Sequence, residues 1–252
     1  MAVLTPTELD PPFATVVATT SRNSTIAICD KPVAMGSLLA LTYVQSVGAT
    51  ADTLTASDVR TNTYVTLPGA MVTNNLQVGI MLSLLTVSLR VGDEVAVTLP
   101  AGVTRNRRIL GARAFSNVML PTSVNSAADG KLSPEATPLP LSVSLTNVAS
   151  GSLIIGAAGT TLGGGALMWA SEFPAPSART AATQAGSSDK RLGNTWRVTD
   201  SAGTKLVGAT QATPASPWGL VAVELPARSV TFENGRWYRQ KNDVYEATGV
   251  VA

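Results

Sequence analysis

The sequence predicts an all-β protein, an antiparallel β-sandwich or jelly roll. Short runs rich in Val, Ile, Thr and Leu recur along the chain, Pro, Gly and Asn/Asp clusters separate them, and no stretch sustains an amphipathic helical period between caps. A parallel α/β fold would need crossover helices that the pattern does not supply.

The elements follow in order. Residues 1–14 hold Pro6, Pro11 and Pro12 with Glu8 and Asp10, a composition that predicts an extended N-terminal arm instead of a packed element. Strands are expected at 15–20, 25–29 and 37–46, separated by SRN and DKPVAMG, and again at 63–67 before Pro68-Gly69. Residues 77–90 fit neither the helical nor the strand period cleanly and are read as a strand. Residues 94–99 alternate Val95, Val97 and Leu99 with Glu94, Ala96 and Thr98 after the Val91-Gly92-Asp93 turn, a well-marked strand. Further strands are expected at 109–115, 141–145, 152–158, 166–170, 195–198 and 205–211, with Pro-containing loops at 121–140 and 172–189. In the last, 218–225, Trp218, Leu220, Ala222 and Glu224 share one face and Val221, Val223 and Leu225 the other; Pro226 closes a single sandwich domain spanning 15–227. No internal repeat is legible. Beyond it, 228–252 reads as a C-terminal meander, because Asn234-Gly235 between two strand-like runs is a strong type I′ hairpin signal and Lys241-Asn242-Asp243 makes another turn.

Composition narrows the function. Of 252 residues 13% are charged and the net charge is +2, far from the basic excess that phosphate neutralisation requires, so nucleic acid is not an expected partner. Cys29 is the single cysteine; it cannot form an intrachain disulfide and is expected to be a buried small hydrophobe. The first residues show neither a basic nor an apolar leader segment, which predicts synthesis in a cytoplasm. The apolar stretch 78–89 is too short for a membrane span and is expected in the core, so no membrane insertion is predicted.

The chain contains no histidine, which removes Ser/His/Asp and Cys/His triads and the HExxH zinc motif. Ser187-Ser188-Asp189-Lys190 has a Ser-x-x-Lys spacing but is read as a solvated loop. Asp93 and Glu94 are adjacent, so on a strand they face opposite ways; a turn residue and a strand edge are expected, and Glu172, Asp189, Asp200 and Glu224 cannot be paired into a glycosidase dyad from spacing alone. Gly163-Gly164-Gly165 lacks a following Lys-Ser/Thr and reads as a hairpin turn, and Asp129-Gly130 and Asp200 as plain turns. Arg105, Arg107 and Arg108 are expected at a solvated strand edge. Trp169 and Trp196 fall in apolar strand patterns and are expected in the core, which leaves Trp237 with Tyr238 as the best carbohydrate platform. No catalytic residue, metal or cofactor is predicted.

The succession MGSLLALTYVQ (35–45), VGDEVAVTLP (91–100), RRILGARAFSNV (107–118), ASGSLIIGAAG (149–159) and PWGLVAVELPA (217–227) resembles a β-sandwich domain of tailed-bacteriophage virion proteins, especially those of phages infecting actinobacteria. Two departures stand out: Gly36-Ser37-Leu38 lacks the acid of the family's first turn, and Asn117 stands where the family often has Gly. The resemblance implies a non-enzymatic virion structural protein, a minor tail or tail-tip protein first and a capsid decoration protein second. Its partners would be other virion proteins and copies of itself, a trimer being favoured, with host-surface glycan as a further partner in an adhesion reading. The assembly or surface-contact candidates are Arg236, Trp237, Tyr238, Arg239 and Tyr245.

Overall fold

A computed structural model describes residues 2–18, 22–72, 75–105, 107–131, 141–161, 167–169, 178–183, 190–211, 216–233, 236–241 and 244–250. The described residues contain no helix; every pairing is antiparallel, and the β-sandwich expectation holds twice over. The chain begins with β1 (Ala2–Val3) and β2 (Thr7–Leu9), then β3 (Val16–Ala18), β4 (Ser24–Ile28), β5 (Leu38–Gln45), β6 (Thr55–Asp58), β7 (Val65–Thr66), β8 (Ala70–Val72), β9 (Leu76–Leu84), β10 (Glu94–Thr98) and β11 (Arg108–Ser116). A second series follows: β12 (Asn125–Lys131), β13 (Leu141–Val148), β14 (Leu153–Thr161), β15 (Leu167–Trp169), β16 (Ala178–Thr183), β17 (Lys190–Val198), β18 (Gly203–Gln211) and β19 (Trp218–Leu225). The chain closes with β20 (Ser229–Glu233), β21 (Arg236–Lys241) and β22 (Val244–Val250).

The second series repeats the first. One sandwich sets β4-β10-β6 against β11-β5-β9-β7; the other sets β13-β18-β15 against β19-β14-β17-β16. Taken in chain order, these are the same strand positions in both. The register repeats as well: Leu38 pairs Leu84 and Phe115, and Leu153 pairs Val198 and Leu225. In each unit the strand before the series pairs the last one, β3 on β11 and β12 on β19. The same sequence, Gly-Ser-Leu, opens both central strands. Gly36 and Gly151 have φ of 81° and 80°, in turns closed by Ser37 N to Ala34 O and Ser152 N to Ala149 O, a backbone that favours glycine at that position. The expectations of one sandwich over 15–227 and of no internal repeat therefore give way to two sandwiches of one topology.

The two units pack face to face through their larger sheets, and three buried layers result. The central one joins Leu38, Ala40 and Val44 of β5 and Val78, Ile80 and Leu82 of β9 to Leu153, Ile155 and Ala157 of β14 and Val221, Val223 and Leu225 of β19. Leu39, Leu41 and Tyr43 turn instead to the core beneath β4 and β10, which also holds Cys29. Trp218, Leu220 and Ala222 turn to the core beneath β13 and β18, so both predicted faces of 218–225 are buried, each in a different core. Val44 pairs Val78 and Ile109, and Gly159 pairs Leu192 and Gly219; the two positions are equivalent, and they meet across the interface. A Cβ at Gly159 would lie 2.5 Å from Val78 Cγ2 and 2.8 Å from Val44 Cγ2, so only glycine lets the sheets approach this closely.

Several expected loops are strands. β12 and β16 occupy parts of 121–140 and 172–189; β12 is a half-exposed edge strand recruited by backbone pairing to β19, which a polar run such as NSAADGK cannot announce. Asp129-Gly130 lies inside it, paired to Leu220 and Gly219, and is not a turn. The strand expected over 77–90 ends at Leu84, and its continuation bends into the Val33–Leu89 bridge. Gly163-Gly164-Gly165 lies outside the described residues.

Overpacking of this kind typically costs about 1–3 kcal/mol. Gly159→Ala is expected to lose an amount in that range in urea unfolding, and adding Val78→Ala should recover part of it; no recovery would show that backbone freedom, not sheet spacing, sets the requirement.

Candidate functional site

Both ends of the chain meet in a sheet of their own. β1 pairs β20, and the order runs β1-β20-β21-β22, with Ala2 opposite Val230 and Val3 opposite Ser229. The N-terminal residues are extended as expected, but they are not free: β2 pairs the edge of β11 through Leu9–Ala114, Glu8–Phe115 and Thr7–Ser116. Residues 2–9 thus tie the terminal sheet to the first sandwich.

The contact candidates lie on this sheet. Trp237 is in register with Phe232 and Gly249, Tyr238 with Thr231 and Ala247, Arg239 with Val230 and Glu246, Arg236 with Glu233 and Val250, and Tyr245 with Gln240. The Glu233–Arg236 register leaves two residues between β20 and β21, as the predicted hairpin requires; the Asn234-Gly235 turn itself, and the candidates' side chains, lie outside the described residues.

Nothing in the sequence marks the sheet's anchor, Arg228. Arg228 is buried, and its Nη2 donates to Gly36 O at 3.0 Å and Val118 O at 3.1 Å. Its backbone is held on both sides: its N–H donates to Asn117 O and its carbonyl accepts from Leu4 N. Val118 bridges Ala227, and Met119 N donates to Pro226 O. The segments that leave the two sandwiches therefore run antiparallel to each other before the terminal sheet begins. Asn117 takes φ 60°, a left-handed backbone that asparagine tolerates better than most residues.

A second joint lies between the sandwiches. Arg113 is 1% exposed in the central layer; Nε donates to Asn194 Oδ1 of β17 at 2.8 Å and Nη1 pairs with Glu8 of β2. Asn194 in turn donates to Thr42 Oγ1 of β5. One guanidinium thus connects the N-terminal strand and both sandwiches. A charge so buried is held by its partners, and removing one leaves the other uncompensated.

The remaining sequence candidates fall into structural roles. Asp93 is a turn residue, as read, but it is buried, and it accepts from Arg60 Nε and Nη2 at 2.7 and 2.8 Å and from Arg90 N. Glu94 is the exposed first residue of β10. The bonds from Arg60 and Arg90 hold the Asp93 carboxyl below its ordinary value, while burial and then Asp93 push the Cys29 thiol up to about 11. Glu224 is buried and accepts from Ala149 N and Asn125 Nδ2. Asp200 is exposed beside Arg197 in a bend, where a cleft of about 420 Å³ is lined by Arg197, Asp200, Lys205 and Leu206. The arginine cluster is not a solvated edge: Arg105 forks onto Asp52 at 2.9 Å through two bonds, and Arg108 is 3% exposed. Lys190 is likewise buried as the first residue of β17; Ser187, Ser188, Asp189 and Glu172 lie outside the described residues. Trp196 packs on the central core edge-to-face with Phe115, ring centroids 5.7 Å apart; the side chain of Trp169 lies outside the described residues. Among the described residues no three His, Cys, Asp or Glu side chains gather, and no helix is long and apolar enough to cross a membrane. Comparison with family models, with curated proteins and with solved structures returns no match.

Arg113→Met is expected to cost about 3 kcal/mol in chemical unfolding by stranding Glu8, and Glu8→Gln in the same chain should return part of that loss. Equal losses in the single and double variants would separate Arg113 from Glu8. For Asp93, a folded carboxyl that gives up its proton more readily than the unfolded one contributes its full stability above its ordinary value of 3.8 and loses it as pH falls through the lower folded value. Asp93→Asn should therefore be less stable than wild type at neutral pH, with the gap closing in acid; a gap independent of pH would contradict this.

Proposed function

We propose that this chain is a non-enzymatic structural protein of a tailed-phage virion, a minor tail or tail-tip component that assembles through its terminal sheet. The observation that carries the reading is the pairing of β1 with β20 in a sheet of its own, β1-β20-β21-β22, separate from the sheets of the two sandwiches. A small sheet of this kind buries little by itself, and its last strand, β22, has an unpaired edge among the described residues. Such an edge is a template for a strand from another chain.

The resemblance supports the same reading in detail. Three of its segments open with a left-handed glycine in the same kind of turn, Gly36, Gly92 and Gly151, and Asn117, which replaces the family's frequent Gly, keeps the positive φ that Gly would supply. The absence of histidine from the sequence leaves only chemistry built on other side chains. On this reading the partners are other virion proteins and further copies of the chain, with a trimer favoured, and the protein resides in the virion. Location on the head as a decoration protein, or a grip on host-surface glycan through Trp237 and Tyr238, are the competing outcomes.

Deletion of residues 229–252 separates them. The shortened chain is expected to remain folded and to disappear from purified particles, with the full-length protein located at the tail by gold labelling. Particle incorporation without these residues would overturn the assembly role, and labelling over the head would place it as decoration. Normal particles of Trp237→Ala that no longer adsorb to host cell walls would establish glycan adhesion instead.

A further inference from the structure

Each sandwich is a reference for the other, and one surface of the first departs from its counterpart. Residues 33–39, VAMGSLL, and 148–154, VASGSLI, differ only at Met35 against Ser150 and at Leu39 against Ile154. The leucine and isoleucine are both buried, whereas Met35 is 67% exposed. Gly36 N donates to Leu85 O as Gly151 N does to Thr199 O, and Val33 bridges Leu89 as Val148 pairs Gly203, so exposed Val87 matches exposed Ser201. On the outer strands, Ile26 and Ile28 of β4 point outward where β13 exposes Ser144 and Thr146. Of the large apolar side chains exposed among the described residues, Ile26, Ile28, Met35, Val59, Val87 and Val91 belong to this outer sheet and the turns at its end; only Val3, Val65 and Leu206 lie elsewhere. An apolar cluster of this kind marks a contact surface.

The charges on this surface point to what covers it. Glu94 of β10 lies between two of the apolar residues, in register with Ile28 and accepting at its carbonyl from Val59 N. Val91 stands 65% exposed in the Arg90–Asp93 turn that leads into β10. Glu94 and Arg90 are both exposed, and among the described residues neither the carboxylate nor the guanidinium has a partner. Their neighbours are engaged, Arg60 with Asp93 and Lys31 with Asp10, and Asp30 adds a further exposed acid two residues past Ile28. In the second sandwich the charges at the matching end meet one another, Arg197 and Lys205 on Asp200. An apolar centre flanked by one open acid and one open base is complementary to itself. A two-fold axis through it sets Glu94 of each copy against Arg90 of the other and covers the apolar residues between them.

We propose that the outer sheet of the first sandwich, β4-β10-β6, is the docking face for a second copy of this chain, with Ile28, Val59 and Val91 at the centre and a reciprocal Glu94–Arg90 pair on either side of the axis. Glu94 makes the contact selective, because a carboxylate covered by an apolar surface without a counter-charge is strongly disfavoured. The contact does not use the terminal sheet and is separate from the assembly role proposed for it.

The test is sedimentation equilibrium of the full chain. The wild type is expected to dimerise, and Arg90→Glu and Glu94→Arg should each weaken self-association about 100-fold, because each sets like charges against one another twice. An equimolar mixture of the two variants should form a heterodimer as tight as the wild-type dimer, since every pair across the axis is then opposite in sign, and the chain carrying both exchanges should again dimerise with itself. Ile28→Thr, which installs the residue type that β13 exposes, should weaken the dimer about tenfold. Recovery on mixing also separates a lost contact from a lost fold. A monomeric wild type would overturn the proposal. Association that both single exchanges leave unchanged would place the contact on another surface, such as the terminal sheet, and would overturn it too, as would loss in both variants with no recovery on mixing.

Discussion

The contact on which the rest of the molecule depends is the approach of two β-sheets at Val44 and Gly159. These positions are equivalent in the two halves of the chain, and where they meet one must be small for the other to be large. The Val44 and Val78 side chains occupy the space a Cβ at Gly159 would need, and the Leu, Ile and Val side chains of β5, β9, β14 and β19 close around that point. Strands buried on both faces follow. β5, β9, β14 and β19 each separate two apolar layers, so the chain must spend its apolar residues on them and leave Thr, Ser and Asn for the outer sheets.

The polar joints sit where this packing brings unlike elements together. Arg113 reaches across the same layer to Asn194 and Glu8, and Arg228 reaches back to Gly36 and Val118 at the point where the two sandwiches release the chain. The first joint fixes the N-terminal strand, and the second fixes the entry to the terminal sheet. The sheet's position is thus inherited from the duplicated architecture, and β1 can meet β20 because Leu4 and Arg228 are already hydrogen bonded beside Asn117. The terminal sheet thus holds β1 beside β20.

Much of the strand content was legible, because β4, β10, β13, β14, β18 and β19 carry alternation or β-branched runs bounded by turn residues. The alternation of 218–225 is plain in the sequence, but Trp218, Leu220 and Ala222 serve one core and Val221, Val223 and Leu225 another, and no single-strand pattern distinguishes a two-sandwich stack from one sandwich. The ambiguity of 77–90 has the same origin, since a strand buried on both faces loses its period. The repeat is not legible in the sequence because it lies in register and turn geometry, Gly36-Ser37-Leu38 against Gly151-Ser152-Leu153, while matched positions such as Tyr43 and Ala158, or Arg113 and Val223, differ completely. The arginines are illegible for a simpler reason. Charge in sequence reads as surface, and burial of Arg108, Arg113 and Arg228 depends on partners far away along the chain.

The central claim is that the two sandwiches are halves of one cooperative structure joined by a common core. Differential scanning calorimetry of residues 1–252 tests it most directly: a shared core predicts a single transition whose calorimetric and van't Hoff enthalpies agree. Two resolved transitions, each with the enthalpy of half the chain, would show two independent domains that merely touch and would contradict the account.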